Sequence, residues 1–361
     1  MILDASVVEQ AIDVGAPKAW FVKQLIMTRE GSTPLSMVRK RAAVSAPTGA
    51  ATEALAKPCR AALLLIHGYG QNRYAWHLPS RSMANHLAAA GYDVFNVDLR
   101  GHGRSERLGA RLPERVEQFV QEDLPAAMAS VHRLSGHSKI YLVGHSLGGL
   151  CAYGVAASRP EQVAGVVSIG SPYHFTRGTR VLAGLADAFL ALDRRLGVPD
   201  IAIPARWYGR FVGHGQRMVN SRLYPVPLRG FLRGSMEREV LREHMALAMD
   251  QGSVVTMRAL FAWGAESRAS STTPLFGLTE RFEGLDLPLL IIAGTSDDLA
   301  PPPSVKPAYE RSRAQDRSYR ELPFGHIDLL VGRDAPRFVW PLVERWIARR
   351  LSAPEPIAQS A

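Results

Sequence analysis

Hydrophobic residues follow two patterns along most of this chain. Short runs are apolar almost throughout, and the stretches between them carry apolar residues at the spacing of a helix. Uninterrupted apolar strands that alternate with helices are typical of a parallel sheet buried on both faces. The pattern therefore predicts an α/β fold, with strands at residues 61–67, 93–98, 139–144, 163–170, 288–294 and 317–322 and helices at 81–90, 114–134, 148–158, 303–314 and from about 335.

The first part of the chain has a different pattern. Residues 19–30 and 35–44 are strand-like runs on either side of the turn sequence Gly-Ser-Thr-Pro, so they predict an antiparallel hairpin. The basic run at 38–41 in its second strand is interpreted as a solvated face. A linker rich in Ala, Pro and Thr follows, from about residue 45 to residue 56.

A long segment, residues 172–283, interrupts the alternation. Its spacing predicts helices near 235–250 and 253–267 and an amphipathic helix with an apolar stripe formed by Leu182, Leu185, Phe189, Leu192 and Leu196. The segment has fifteen arginines, no lysine and ten acidic residues. Two interpretations remain: the stripe packs on the core, or the segment covers a site and the stripe lines an acyl pocket or contacts lipid. We expect a core domain of residues 1–171 and 284–361, with 172–283 inserted as a helical cap.

Composition limits the classes of function. The chain has 361 residues, 47% of them hydrophobic, which allows a large core. The net charge of +10 is diffuse, with no basic run interleaved with aromatic residues, so no nucleic-acid partner is predicted. Cys59 and Cys151 are predicted to be packed thiols in a reducing compartment. The acidic N-terminus and the absence of a run of roughly 18 apolar residues predict a cytoplasmic protein without a transmembrane segment, although peripheral lipid contact stays open.

One short stretch points to nucleophilic chemistry. The residues Gly144-His145-Ser146-Leu147-Gly148 match the pattern G-x-S-x-G, follow a predicted strand and open a predicted helix. Glycine is needed at 144 and 148 because a turn this sharp brings backbone segments together. The turn presents the Ser146 hydroxyl at the carboxyl edge of the sheet, close to the positive end of the helix dipole. Ser146 is therefore the candidate nucleophile.

A serine nucleophile needs a base and an acid. Asp297 and Asp298 follow the strand at 288–294, and His326 follows the strand at 317–322. The chain order serine, aspartate, histidine is the one expected for this sheet topology. We prefer Asp297 as the acid because it is nearer the strand end, and we interpret Asp298 as a loop residue and Asp328 as a helix start.

A developing oxyanion needs two backbone N–H donors. The N–H of Leu147, directly after the nucleophile, is one candidate. Residues 67–72, His-Gly-Tyr-Gly-Gln-Asn, follow a predicted strand, and their glycines allow the backbone to approach a ligand. Tyr69 is therefore expected to supply the second N–H, with Gly70 as the substitute.

Three other histidines lie in these motifs. We interpret His67 as a structural residue of its turn, and His102 as bonded to backbone in the loop at 98–105. His145 is expected either to orient the turn at Ser146 or to line the pocket. The histidines lack the spacing of metal ligands, and no cofactor or metal ion is predicted.

The segments HGYG, DLRGHGRS, GHSLGG, GTSDDLAPP and GHIDLL occur in an order that resembles the α/β-hydrolase superfamily over nearly the whole chain. The resemblance implies the fold of that family, with a cap after the sixth sheet strand. The chain is most similar to the lipase and esterase branch that includes acid lipases, and to polyhydroxyalkanoate synthases. The synthases use a cysteine where this chain has Ser146, and an aspartate there would have indicated epoxide or haloalkane chemistry.

These observations lead to three hypotheses. The first is a serine hydrolase that cleaves a small-molecule carboxylic ester with a hydrophobic acyl or alcohol part through an acyl-enzyme. The second is a thioesterase or acyltransferase with the same triad, in which arginines of the cap hold a phosphate-bearing carrier. The third is a binding protein without catalysis. The sequence does not fix the oligomeric state.

Overall fold

A nine-stranded sheet is the centre of the molecule. The computed structural model describes residues 1–46, 52–207, 209, 228, 230–270 and 272–352. The strands in these ranges are β1 Ile2–Gln10, β2 Ala19–Met27, β3 Ser36–Ala42, β4 Ala62–Ile66, β5 Asp93–Asp98, β6 Ile140–His145, β7 Val163–Ile169, β8 Ala202–Ile203, β9 Gly252–Ser253, β10 Leu289–Gly294 and β11 Arg317–Leu322. All except β8 and β9 join one sheet, in the order β1-β2-β3-β5-β4-β6-β7-β10-β11.

The pairing of the strands confirms the predicted fold class. Pairing is antiparallel from β1 to β2, from β2 to β3 and from β3 to β5. The remaining neighbours, in the order β5, β4, β6, β7, β10 and β11, pair parallel. The predicted hairpin is β2 and β3. The sequence pattern did not reveal β1, because this edge strand is mostly exposed and carries no regular apolar face.

Helices cover both faces of the sheet. They are α1 Met83–Ala89, α2 Gly103–Arg107, α3 Leu124–Ser135, α4 Leu147–Ser158, α5 Arg180–Leu196, α6 Arg238–Glu243, α7 Val254–Ser270, α8 Thr279–Glu283, α9 Pro302–Val305, α10 Pro307–Arg311, α11 Asp328–Val331, α12 Ala335–Phe338 and α13 Trp340–Ser352. Strand β4 shows the division: Leu63 and Leu65 pack with α1 and α13, whereas Leu64 and Ile66 pack with α3 and α4.

The basic run at 38–41 is buried, so its interpretation as a solvated face is wrong. Strand β3 lies inside the sheet between β2 and β5, and Arg39, Lys40 and Arg41 are each less than a tenth exposed. The Arg39 guanidinium donates to both carboxylate oxygens of Asp93, at 2.8 and 2.6 Å. This partner, 54 residues away in the sequence, makes burial of the Arg39 charge tolerable.

The inserted segment, residues 172–283, contains the helices that the spacing predicts. Helices α5 and α7 pack together, for example through the rings of Phe189 and Phe261, whose centroids are 5.5 Å apart. The predicted helix at 235–250 is α6 followed by a π-helical turn at 244–248. Parts of three predicted regions lie outside the described residues: 208, 210–227, 229 and 271 of the inserted segment, 47–51 of the linker, and 353–361 of the predicted core domain.

The apolar stripe of α5 does not pack on the core as a whole. Leu182 is buried, but Leu185, Leu192 and Leu196 are 52%, 49% and 71% exposed. The physical reason is that α7 and the core cover only the side of α5 on which Leu182 and Ala186 lie. The packing interpretation is therefore wrong for the outer part of the stripe.

Both cysteines are free thiols, as predicted; Cys151 is buried and Cys59 is half-buried. None of the described helices is both long and apolar enough to cross a bilayer.

Candidate active site

The Ser146 turn has the strained geometry that the motif predicts. Ser146 connects β6 to α4 with φ of 54° and ψ of −122°, a conformation that residues other than glycine rarely adopt. A Cβ atom at Gly144 would lie 2.4 Å from the carbonyl oxygen of Gly148, and one at Gly148 would lie 2.2 Å from that of Ile66. Both glycines are therefore required by backbone contact, as expected from the sequence.

Asp297 and His326 come together at the carboxyl edge of the sheet. Asp297 follows β10 and His326 follows β11, and the distance from His326 Nδ1 to Asp297 Oδ2 is 2.7 Å. The other oxygen of Asp297 accepts the backbone N–H groups of Leu299 and Ala300, at 2.8 and 2.7 Å. These bonds fix the carboxylate, and the carboxylate favours the tautomer in which Nδ1 carries the proton and Nε2 is free to accept one.

The charge of Asp297 also sets the basicity of the imidazole. Burial by itself lowers the pKa of His326, but the charge and hydrogen bond of Asp297, with smaller contributions from Asp298 and Asp328, raise it above the ordinary value. The protonated imidazole that forms when a base accepts a proton is thus stabilised at this position.

Ser146 and His326 line the same cavity. Within the described residues the Ser146 hydroxyl makes no hydrogen bond, and in the absence of substrate such catalytic bonds are often long or poorly aligned. His145 lies behind them, fully buried, with its Nε2 3.1 Å from the carbonyl oxygen of His326. His145 therefore orients the His326 backbone and does not line the cavity.

Tyr69 and Leu147 line this cavity beside Ser146. Their backbone N–H groups have no acceptor within the part of the chain that the structure describes, so both are free to donate to a ligand. Gly70 is absent from the lining residues, and its carbonyl oxygen accepts the N–H of Asp250 at 2.7 Å. The geometry thus favours Tyr69 over Gly70 as the second donor.

The loop of residues 69–72 is held by the inserted segment. Asn72 donates its N–H to the carbonyl oxygen of Ala248 at 3.1 Å, and the Tyr69 hydroxyl donates to that of Ser253 at 3.1 Å. The buried carboxylate of Asp250 accepts from the side chain of Asn72 at 3.0 Å and from the backbone N–H of Gly103 at 2.7 Å. Asp250 was missed by the sequence analysis, because Asn72 and Gly103 are more than a hundred residues away from it and no local motif marks it.

The cavity is apolar except at its catalytic end. Its volume is about 320 Å³, and residues 172–283 contribute half of the lining residues, including Phe175, Leu182, Met249, Met257, Leu260 and Phe261. Apart from Tyr69, the lining residues with polar side chains are Ser146, His326 and Gln71. An apolar chain with one polar group at its end fits this shape and distribution.

The remaining candidate residues have structural roles in the described structure. His67 accepts the N–H of Leu99 at 3.1 Å, and burial lowers the pKa of His67 to about 4. His102 bonds the carbonyl oxygen of Arg100 at 2.7 Å. The interpretations of both histidines are confirmed.

The two alternative aspartates bind backbone. Asp298 accepts the N–H of Gly230 at 3.0 Å. Asp328 begins α11 and accepts the N–H groups of Gly325 and Leu232 at 3.0 and 2.7 Å. Among the described residues, no group of three His, Cys, Asp or Glu side chains is arranged to hold a metal ion.

The family model of the alpha/beta hydrolase fold matches residues 61–333. The chain therefore belongs to the α/β-hydrolase family.

Two curated relatives align over most of the chain. Human lipase member K is 26% identical over 322 residues, covering 77% of each chain, and the poly(3-hydroxyalkanoate) polymerase subunit PhaC of Haloferax mediterranei is 25% identical over 306 residues, covering 80% of this chain and 58% of that one. Epoxide hydrolase B of Mycobacterium tuberculosis is 32% identical over 111 residues, and the match covers only 29% of its length.

Among solved structures, a soluble variant of monoglyceride lipase from Saccharomyces cerevisiae superposes with a TM-score of 0.64 at 16% identity, covering 95% of this chain and 99% of that one. Such low identity shows the fold alone.

The close backbone contact at Gly148 gives a prediction on stability. Gly148→Ala should lower the free energy of unfolding by more than the roughly 1–3 kcal/mol typical of overpacking, because its methyl group would meet the fixed carbonyl of Ile66. Gly184→Ala is the control: this exposed position of α5 has open space, and the change should raise the stability by about 0.5–1 kcal/mol. Urea denaturation of both variants measures the difference. Equal effects of the two changes would contradict the packing argument.

Proposed function

We propose that the protein is a carboxylic ester hydrolase with Ser146 as nucleophile, His326 as general base and Asp297 as the acid that orients His326. The observation that supports this most directly is the 2.7 Å contact between His326 and Asp297 at the end of an apolar cavity that Ser146 also lines. Membership of a family with lipase and esterase relatives agrees with it. We also propose a cytoplasmic location, which the two free thiols support.

The proposed reaction has two halves. His326 Nε2 accepts the Ser146 proton as Oγ attacks the ester carbonyl carbon, and the N–H groups of Tyr69 and Leu147 stabilise the oxyanion. The carbon–oxygen bond of the ester then breaks, and the alcohol leaves with the proton from His326. Water repeats the sequence on the acyl-enzyme: His326 takes its proton, and the carboxylic acid leaves as the proton returns to Ser146.

We further propose that residues 172–283 form a cap on a core of residues 1–171 and 284–361. Its side chains form most of the apolar wall, so the cap would select substrates with a hydrophobic acyl or alcohol part. The thioesterase or acyltransferase alternative has less support. Arg206, Arg258 and Arg268 of the segment are bonded to carboxylates, and none of them lines the cavity.

Replacing the nucleophile tests the proposal. Ser146→Ala should lower the turnover of p-nitrophenyl esters by on the order of 10⁴ to 10⁶, because no other group can form the acyl-enzyme. Ser158→Ala, at the far end of α4, should retain activity and serves as the matched control. Substantial turnover by Ser146→Ala would exclude the mechanism. Failure of the folded protein to react with a fluorophosphonate probe would favour a binding protein without catalysis.

The pH dependence tests the roles of His326 and the two aspartates. Only the neutral imidazole can accept a proton, so kcat/KM should rise with pH through a midpoint above the ordinary histidine value of about 6.5, since Asp297 raises the pKa of His326. Asp297→Asn should lower this midpoint and reduce kcat by on the order of 10⁴. Asp298→Asn should keep most of the rate. A flat profile from pH 5 to 9, or the opposite ranking of the two variants, would contradict the assignment.

The cavity predicts a chain-length preference. Met257→Trp should reduce the turnover of long-chain esters relative to acetate esters, because the indole would occupy part of the apolar space. Val181→Trp adds the same group on the exposed side of α5 and should leave the preference unchanged. A panel of p-nitrophenyl esters and acyl-CoA thioesters measures both effects and compares ester with thioester turnover. An unchanged preference in Met257→Trp would place the acyl chain elsewhere.

A further inference from the structure

A second cavity lies beside the antiparallel part of the sheet. Its volume is about 180 Å³, and it is bounded by β1, β2, β3 and β5 of the sheet and by residues 73–84 above them. It shares no lining residue with the cavity at Ser146. The proposed hydrolysis makes no use of it.

Three cationic side chains line this cavity: Lys23, Lys40 and Arg73. Its described lining residues include no aspartate or glutamate. Lys23 and Lys40 are direct partners across the β2–β3 ladder, an arrangement that is destabilising for like charges. The cavity therefore concentrates positive charge that its own walls do not neutralise.

Lys40 is the most unusual member of the group. Its side chain is buried, and its ammonium donates to Gln10 Oε1 at 2.6 Å and Asn85 Oδ1 at 2.7 Å and lies 3.1 Å from both ring nitrogens of His77. None of these partners carries a negative charge. In its charged form the Lys40 amine therefore has no counter-ion among the described residues, which is an expensive arrangement without an anion nearby.

Asp98, the carboxylate next to the cavity, already has an ion-pair partner. Asp98 pairs with the Arg73 guanidinium and accepts the backbone N–H groups of Arg73 and Arg104, at 2.8 and 2.9 Å. It balances Arg73 and leaves the two lysines uncompensated. A ligand with two negative charges would restore neutrality, whereas a single carboxylate would compensate only one lysine.

The titration of the neighbouring groups agrees with a positive potential. Burial, and then the charges of Lys23 and Arg73, hold the pKa of Lys40 well below its ordinary value. The pKa of His77 is also held low by burial and by the charges of Lys40, Lys23 and Arg73. An anion in the cavity would oppose these shifts in both groups.

We propose that this cavity binds a phosphate group, either as inorganic phosphate or as the head of a small phosphomonoester. Lys23 and Arg73 contact the phosphate oxygens, and Lys40 supplies the second uncompensated charge from below. The ring of Tyr74, which lies under the Arg73 guanidinium at 4.8 Å, forms the wall against which a small organic part would rest. The site is independent of the proposed ester hydrolysis.

Thermal unfolding of the full chain tests this site. Sodium phosphate and glycerol 3-phosphate are titrated separately at constant ionic strength, with chloride as the balancing anion. A ligand that binds only the folded state raises the unfolding temperature along a saturating curve, from which an apparent dissociation constant follows. We expect a saturating rise in the unfolding temperature of the wild type. If inorganic phosphate alone produces this rise, the ligand is the free ion. If glycerol 3-phosphate gives the lower apparent dissociation constant, the ligand is the ester.

Two variants and one control locate the binding. Lys23→Gln, at a partly exposed position, should weaken the apparent affinity at least tenfold, and Lys57→Gln, at an exposed position outside the cavity, should leave it unchanged. Lys40→Met should also remove the response while leaving the esterase rate unaltered; if it does not fold, Lys23→Gln decides. The absence of saturation in wild type would overturn the proposal. So would equal responses in Lys23→Gln and Lys57→Gln, because the anion would then bind elsewhere.

Discussion

The contact between the α-carbon of Gly148 and the end of β4 is the constraint on which the candidate site depends. The space there excludes even a methyl group, since a Cβ atom would lie 2.2 Å from the carbonyl oxygen of Ile66 and 2.6 Å from that of His67. This contact brings the start of α4, with the Leu147 N–H, against the start of the loop that carries the Tyr69 N–H. It also leaves Ser146 in its strained conformation between them. Two potential oxyanion donors and the hydroxyl are thus placed by one packing requirement, at the edge of a sheet that is rigid because both its faces are covered.

The loop on the other side of that contact has no comparable local constraint. Residues 69–72 belong to no helix or strand. Backbone hydrogen bonds join Asn72 to Ala248 and Gly70 to Asp250, both in the segment 248–253. The same inserted segment lines the apolar cavity. In the proposed mechanism, substrate selection and the position of one oxyanion donor are therefore connected through a single stretch of chain, and a change that moves this stretch would act on both.

The parts of the structure that the sequence allowed us to predict depend on local patterns. The parallel strands are apolar throughout, the Ser146 turn needs its glycines, and Asp297 and His326 follow strands whose carboxyl ends meet at one edge. The errors concern features that distant residues decide. Arg39 is buried because Asp93, 54 positions away, neutralises it, and the outer leucines of α5 are exposed because of what packs on the opposite side. Neither partner is visible in a window of neighbouring residues.

The low pKa of the neighbouring His145 helps Asp297 to raise the pKa of His326. The rings of His145 and His326 are 4.5 Å apart, and a positive charge on His145 would oppose the imidazolium that a general base must form. Burial, and then the charge of His326, hold the pKa of His145 well below its ordinary value, so His145 is protonated less readily than His326. The nearest strong charge acting on His326 is consequently the carboxylate of Asp297, which raises the pKa of His326 despite its own burial. Burial thus lowers the pKa of both histidines, and the main reason that only the pKa of His326 is raised is its hydrogen-bonded carboxylate, Asp297.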